Sequence, residues 1–221
     1  MNSEADIASF LVISREVFAP LYPYYAVRFL EQSGLTAGRC LDIGCGGGDL
    51  GLAVAQNSDC ALVLIDRSPG MIRAASQNAV AKGLAGRVVA LPGDVHALPL
   101  RDGCVDLVVS RGSVMFWSDL PRAFAEIERV LAPQGRAFLG GGLGPPAIRE
   151  TICREMAKRD PRWQTGNPPP PRPGTDPDRH AAALRAAGIV RFTITREETG
   201  HWIEFSGRTA GRAQTEEVPE S

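Results

Sequence analysis

Three aspartates stand at or near the ends of successive apolar segments in the first half of the chain. They are Asp42, Asp66 and Asp94. Apolar segments of this kind predict buried parallel strands, and ligands of open α/β sheets bind at the edge where the carboxyl ends of such strands meet. The sequence therefore predicts a ligand site in which three carboxylates line one edge of a sheet.

A glycine-rich turn lies beside the first of these carboxylates. Residues 41–48 read Leu-Asp-Ile-Gly-Cys-Gly-Gly-Gly, and a helix pattern begins at Leu50. A strand, a turn and a helix in this order bring the backbone close to a nucleotide-like ligand. Asp42 would repel the diphosphate of NAD or FAD, whereas it would attract the sulfonium and ammonium groups of S-adenosylmethionine. The turn thus favours S-adenosylmethionine over a dinucleotide.

The other two carboxylates suit the adenosine half of such a ligand. Asp66 ends the second predicted strand, where an acid can accept hydrogen bonds from both ribose hydroxyls. Its alternative role, as a helix N-cap, is already filled by Ser68. Asp94 follows the third strand and can accept a hydrogen bond from the adenine amino group, while the Val95 N–H meets a ring nitrogen. The alternative for Asp94 is a turn aspartate bonded to its own backbone.

Alternating strand and helix patterns predict the fold that positions these residues. Near-continuous apolar strands are expected at residues 39–43, 61–65, 87–91, 104–109 and 136–140. Residues 189–195 and 201–205 predict an antiparallel hairpin on the sheet edge, turned at residues 198–200. The expected class is α/β: a Rossmann-like doubly wound sheet, mostly parallel, with helices on both faces.

Helix signals accompany these strands. The apolar spacing near the N-terminus predicts a helix that Pro20 and Pro23 interrupt. A later helix is expected to carry Phe124, Ile127 and Leu131 on one face.

We expect a single domain over residues 1–206. Its parts are an N-terminal helical cap (1–34), a cofactor-binding core (35–140) and a C-terminal lid with the edge hairpin (141–206). Residues 160–178 are rich in proline and predict an extended surface linker. The polar tail, residues 207–221, is expected to be disordered.

Composition excludes several classes of function. With 24 basic and 25 acidic residues the net charge is −1, which offers no electrostatic case for nucleic acid or a membrane surface. The N-terminus lacks the features of a secretory signal, and no apolar run is long enough to span a membrane. The five cysteines have no C-x-x-C spacing, which favours free thiols in the cytoplasm. Monomer and homodimer both remain open.

Five motifs in order resemble those of a known family. The motifs occupy residues 41–48, 64–71, 93–99, 106–111 and 129–136. The chain resembles class I S-adenosylmethionine-dependent methyltransferases and is most similar to the type 11 small-molecule group, over about residues 18–140. The resemblance implies transfer of a methyl group from S-adenosyl-L-methionine to a small acceptor by in-line displacement, with S-adenosyl-L-homocysteine as product. No cluster of acids and histidines in the sequence suggests a catalytic magnesium, so we expect no metal.

The resemblance also implies a set of cofactor-binding residues. They are Asp42, Gly44, Cys45, Gly46, Asp66, Arg67, Met71, Gly93, Asp94, Val95, Ser110 and Arg111. Met71 would pack on the adenine, although an ordinary core methionine fits its helix equally well. Arg111 stands where many relatives carry a small polar residue. It could bind an anionic group on the acceptor, bind the cofactor carboxylate, or form a structural ion pair.

Candidates for catalysis and acceptor binding come from polar and aromatic residues near these motifs. The catalytic candidates are His96, Arg111 and Tyr25. The candidate acceptor lining is Tyr22, Tyr24, Phe116 and Trp117. His96 could instead make a structural hydrogen bond, and aromatic residues at such spacings are equally typical of a core.

Two alternative functions stay open at this point. A protein of the same fold could bind the cofactor, or act as a scaffold, without turnover. An NAD-dependent oxidoreductase is the other, because Gly46-x-Gly48-x-x-Gly51 also fits dinucleotide spacing. The acidic residues at 42 and 94 weigh against the oxidoreductase.

Overall fold

The computed structural model describes residues 4–163, 176–197 and 200–208, which form one sheet with helices on both faces. The strands are β1 (Ala37–Ile43), β2 (Asp59–Asp66), β3 (Val88–Pro92), β4 (Val105–Arg111), β5 (Leu131–Gly141), β6 (Phe192–Glu197) and β7 (Gly200–Ser206). The helices are α1 (Glu4–Glu16), α2 (Leu21–Ser33), α3 (Asp49–Gln56), α4 (Pro69–Ala81), α5 (Leu120–Val130), α6 (Pro146–Ala157) and α7 (Pro177–Ala186). Short 3₁₀ turns lie at Val114–Phe116 and Pro161–Trp163.

The order of strands across the sheet is β3-β2-β1-β4-β5-β7-β6. Strands β1 to β5 pair in parallel, and β7 runs antiparallel to both β5 and β6. The strand order reverses between β1 and β4, which creates the crevice where ligands of doubly wound sheets bind. The predicted α/β class and the edge hairpin are confirmed.

The strand and helix boundaries differ from the sequence expectations at two instructive places. Leu131 was expected on a helix face, but it is the first residue of β5 and pairs with Val105 ahead of an irregularity in the β4–β5 register. Pro23 was expected to interrupt a helix, yet it lies within the first turn of α2. A proline is tolerated there because the first-turn N–H groups have no partner inside the helix.

The core has two layers, one on each face of the sheet. One layer packs α2, α3 and α6 against the sheet, and the other packs α5 and α7. An aromatic cluster joins α2 to β5 and β7. Phe29 stacks on Phe138 with ring centroids 4.7 Å apart, and Trp202 lies 4.9 Å from Phe29 and 4.7 Å from Tyr25. This cluster fixes α2 over the half of the sheet that includes the end of β4.

Some expectations fall wholly or partly outside the described residues. These are the tail from residue 209 onward, the proline-rich stretch 164–175 and the turn at 198–199. Asp176 caps α7 and Pro177 begins it. In the part of the chain that the structure describes, no helix combines the length and apolar character needed to cross a membrane.

Candidate active site

The glycine turn folds tightly between the ends of β2 and β4. The N–H groups of Gly44 and Cys45 both donate to the carbonyl oxygen of Ile65, at 2.8 and 3.0 Å. Gly44 has a φ of +65°, and a Cβ there would meet the Cβ of Ser113 at 2.5 Å. Glycine is therefore required at this position both for its backbone conformation and for the close approach. Ser110 supports the turn from below, since its hydroxyl donates to the carbonyl of Ile43 at 2.8 Å.

Asp42 lies beneath the turn and is only 2% exposed. One of its carboxylate oxygens accepts a hydrogen bond from the Gly51 N–H at 2.9 Å. Burial raises the pKa of Asp42 to about 7; the hydrogen bond from Gly51 opposes this rise, and the carboxylates of Asp66 and Asp49 add to it. No cation in the described residues contributes to that pKa. The floor of the site is therefore an acidic cluster that a cationic ligand would stabilise.

Asp66 connects the turn to α4 from the end of β2. Its two carboxylate oxygens accept hydrogen bonds from the Gly46 N–H and the Ser68 N–H, each at 2.9 Å. Ser68 itself caps α4 by accepting from the N–H of Met71. Each oxygen of Asp66 keeps a further lone pair, so the carboxylate can accept hydrogen bonds from a ligand as well.

Asp94 is held by a neighbouring histidine. Its Oδ1 accepts the His96 N–H at 2.9 Å and contacts His96 Nδ1, and Arg67 lies 3.6 Å from Oδ2. Partial burial alone would raise the pKa of Asp94, but the hydrogen bonds from His96 and the charge of Arg67 lower it overall. The carboxylate is thus ionised and oriented at the end of β3.

Both ring nitrogens of His96 are engaged. Nδ1 contacts Asp94, and Nε2 accepts the Asp119 N–H at 3.2 Å. This arrangement assigns the ring proton to Nδ1 and leaves no free lone pair on Nε2. These hydrogen bonds favour the structural alternative for His96, and its catalytic role stays a prediction.

Arg111 ends β4 on the same side of the sheet as α2. Its Nη2 donates to the carbonyl oxygen of Gly142 at 2.9 Å, and its guanidinium carbon lies 5.3 Å from the Phe18 ring centroid and 5.7 Å from that of Tyr22. Burial lowers the pKa of Arg111, and the nearby hydroxyls of Tyr22 and Tyr25 oppose that change. No carboxylate among the described residues forms an ion pair with Arg111, so the structural ion pair is not observed.

The aromatic candidates divide between the core and the site. Tyr25 is 0% exposed and packs against Trp202, and Trp117 is buried against Phe124. Core side chains cover both rings, which favours the core alternative, and their catalytic and lining roles stay predictions. Tyr22 does face the site: its hydroxyl bonds to Ser14 and its ring lies against Arg111. Burial raises the pKa of Tyr22, and the charge of Arg111 opposes that rise.

The remaining predicted residues take varied positions around the turn. Met71 is fully buried in α4 and Val95 is 4% exposed, while Phe116 is 61% exposed and Tyr24 is half-buried. Two further predicted residues are backbone elements of the site. Cys45 lies within the glycine turn, and Gly93 donates its N–H to the carbonyl of Asp66 at 3.1 Å.

Sequence reasoning missed the role of α1, which lies across the glycine turn. A Cβ at Gly46 would meet the Phe10 ring at 3.0 Å, and one at Gly47 would meet Leu11 at 2.8 Å. Ser14 of the same helix donates to Asp49 at 2.7 Å. The apolar spacing of α1 predicts a helix, but nothing in it indicates which surface the helix covers.

Comparison with known proteins agrees with this geometry. Residues 41–139 match a family model described as a methyltransferase domain, type 11. The crystal structure of a putative S-adenosyl-L-methionine-dependent methyltransferase from Methanococcus maripaludis is 36% identical, superposes with a TM-score of 0.84, and 93% of each chain is covered.

Two curated relatives match over shorter spans. A malonyl-[acyl-carrier protein] O-methyltransferase of Geobacter sulfurreducens is 36% identical over 132 residues, which are 59% of this chain and 46% of the relative. Nocamycin O-methyltransferase of Saccharothrix syringae is 32% identical over 176 residues, 72% of this chain and 61% of the relative. The chain thus spans about half the length of these relatives.

Proposed function

Since this chain belongs to the class I S-adenosylmethionine-dependent methyltransferases of the type 11 group, we propose that it moves a methyl group from S-adenosylmethionine to a small-molecule acceptor. The observation that carries the proposal is the acidic edge of the sheet. Burial raises the pKa of Asp42 to about 7, the carboxylates of Asp66 and Asp49 add to this rise, and no cation of the described residues opposes it. A sulfonium and an ammonium group would do so, whereas a diphosphate would add further negative charge.

The residues present fit each part of the cofactor. Asp66 has unused lone pairs at the end of β2 for the two ribose hydroxyls. Asp94, oriented by His96, would accept from the adenine amino group, with the Val95 N–H beside it. The turn from Gly44 to Gly48 would hold the methionyl part through its backbone, and buried Asp42 would supply negative charge to it.

In methyl transfer the main contribution of the protein is to align the acceptor with the methyl group. The bound cofactor supplies a methyl group already activated by its sulfonium. The turn, β4 and the covering helix α1 would hold the acceptor in line and exclude water. His96 has both ring nitrogens engaged, and the pKa values of Tyr22 and Tyr25 are raised, so neither tyrosine is a good base near neutral pH. We therefore expect an acceptor that needs no deprotonation by these three residues, such as a carboxylate or a free amine.

Calorimetric titration with S-adenosylmethionine tests the site. Asp66→Ala should weaken binding at least about tenfold, because it removes the carboxylate that meets the ribose and holds the Gly46 N–H. Asp59→Ala is the matched control, since Asp59 is the exposed aspartate at the other end of β2. Equal affinity of the two variants would refute the assignment of the site.

The alternatives make different predictions in the same experiments. A cofactor-binding protein without turnover would bind S-adenosylmethionine, yet form no S-adenosylhomocysteine with any acceptor. An oxidoreductase would bind NADH in preference to S-adenosylmethionine. The names of the curated relatives give malonyl-[acyl-carrier protein] and nocamycin as molecules methylated on oxygen, and acceptors of these two kinds are the first to be assayed.

A further inference from the structure

Among the described residues, no carboxylate pairs with the guanidinium of Arg111. Its Nη2 donates a hydrogen bond to the carbonyl oxygen of Gly142 at 2.9 Å. Within the described ranges its Nε has no hydrogen-bond partner and is closed to solvent. Because one carbonyl and two aromatic rings replace only part of the water that a guanidinium loses, the group remains incompletely satisfied.

The surroundings of Arg111 at the end of β4 are mainly aromatic. The Phe18 and Tyr22 rings lie on the α2 side, 5.3 and 5.7 Å from the guanidinium carbon. The segment after β5 closes another side through Gly142. Two aromatic rings, the Gly142 carbonyl and the Tyr22 hydroxyl thus surround the guanidinium, so a ligand that reaches it would be recognised by its negative charge and its apolar body.

Arg111 is linked to the acidic floor through Tyr22, whose hydroxyl bonds to Ser14, and Ser14 in turn donates to Asp49. The three neighbours of Arg111, namely Phe18, Tyr22 and Gly142, all lie outside residues 41–139, the span that matches the methyltransferase family model. Arg111 therefore extends from the cofactor-binding frame towards segments that this chain does not share with that model.

We propose that Arg111 binds a carboxylate of the methyl acceptor, so that the substrates of this protein are carboxylic acids with an apolar body. This inference rests on the proposed methyltransferase function. The planar guanidinium suits a carboxylate, since its remaining N–H groups can donate to both oxygens. The methionyl part of the cofactor also carries a carboxylate, so two experiments distinguish the acceptor carboxylate from that of the cofactor.

The first experiment uses hexanoate and its neutral counterpart hexanamide as probes. Each is added to the full chain saturated with S-adenosylhomocysteine, and the melting temperature is measured. Hexanoate at saturation should raise the melting temperature by about 2–4 °C more than hexanamide does. Arg111→Gln should abolish the difference and Arg111→Lys should keep part of it. Arg101→Gln, at an exposed arginine in the β3–β4 connection, should keep all of it.

A merely structural role for Arg111 predicts that ligand-free Arg111→Gln melts below the unmodified protein. The proposal predicts that it melts at or above that temperature, because the substitution removes an incompletely satisfied charge. Equal responses to hexanoate and hexanamide, or a hexanoate response that survives in Arg111→Gln, would overturn the proposal.

The second experiment identifies the source of the carboxylate. Calorimetry compares S-adenosylmethionine with its decarboxylated analogue on the unmodified protein and on Arg111→Gln. An acceptor site predicts that the substitution changes the affinity for S-adenosylmethionine by less than about threefold. A loss of about tenfold or more, seen with S-adenosylmethionine and absent with the analogue, would assign Arg111 to the cofactor and overturn the proposal. Failure of the proposed function would appear differently, as no binding of S-adenosylmethionine to the unmodified protein.

Discussion

Replacing Asp42 by asparagine should remove a large pH dependence from the stability of the ligand-free protein. Asp42 is 2% exposed and its pKa is raised from 3.8 to about 7 by burial, with a contribution from Asp66 and Asp49. In the unfolded chain the same carboxyl titrates near its ordinary pKa. Asparagine keeps an oxygen for the Gly51 N–H and cannot ionise, so Asp42→Asn isolates the charge.

The sign and size of this pH dependence follow from the pKa of Asp42 in the folded protein and in the unfolded chain. Between about pH 4 and pH 7 the folded protein holds a proton on Asp42 that the unfolded chain has released, so stability falls as the pH rises through this window. The difference between 3.8 and about 7 corresponds to about 4 kcal/mol of unfolding free energy, which is fully lost above pH 7. From pH 5 to pH 8 the loss attributable to Asp42 is about 3 kcal/mol.

Urea unfolding of the unmodified protein and of Asp42→Asn from pH 5 to pH 8 measures this loss of stability directly. The difference in unfolding free energy between the unmodified protein and Asp42→Asn should move by about 3 kcal/mol in favour of the variant as the pH rises. Other titrating groups cancel in this difference, because both proteins contain them. Asp59→Asn, at the exposed end of β2, should show a flat difference and serves as the control.

Ligand binding should also reveal the ionisation of Asp42. A cationic cofactor beside Asp42 favours the ionised form, so S-adenosylmethionine binding near pH 6 should release a proton. S-adenosylhomocysteine lacks the sulfonium and should release less. Proton release is read from the buffer dependence of the calorimetric enthalpy. A flat stability difference, a difference of the opposite sign, or equal proton release for both ligands would refute the reasoning.

Two further substitutions test the geometry around the turn. Gly44→Ala should destabilise the protein by about 1–3 kcal/mol more than Gly83→Ala in urea unfolding, because both glycines have a positive φ but only the first would place a Cβ against Ser113; equal losses would contradict the packing. His96→Ala should weaken S-adenosylmethionine binding about tenfold in calorimetry, because Asp94 loses a hydrogen bond that orients it; an unchanged affinity would show that Asp94 needs no such support.

The strand pattern and the helix caps were readable from sequence because their signals are local. Near-continuous apolar runs predicted β1 to β5, and Ser68 before Pro69 predicted the start of α4. The prediction that Leu131 lies on a helix was wrong, because an apolar residue at helical spacing can equally begin the following strand. Only the pairing of Leu131 with Val105 decides between helix and strand. Local signals of this kind carry no information about partners distant in the chain.

The candidate site was predictable to the extent that strand ends determine it. The positions of Asp66 and Asp94 at the carboxyl edge follow from the alternation of strands and helices. The packing of Tyr25 and Trp117 did not follow from the sequence, since an aromatic residue at these positions is equally compatible with a core and with a binding pocket. Their burial against Trp202 and Phe124 depends on how α2 and α5 dock on the sheet.

The sequence by itself determined the family, the order of strands and helices, and the line of carboxylates beside a glycine turn. All three depend on residue types at short spacings. Only the tertiary structure decided that Asp42 is buried with a pKa of about 7, that α1 covers the turn, and that Arg111 lies without a carboxylate partner among the described residues. Charge and burial at these positions depend on segments up to about a hundred residues apart, which meet only when the sheet and its helices have packed.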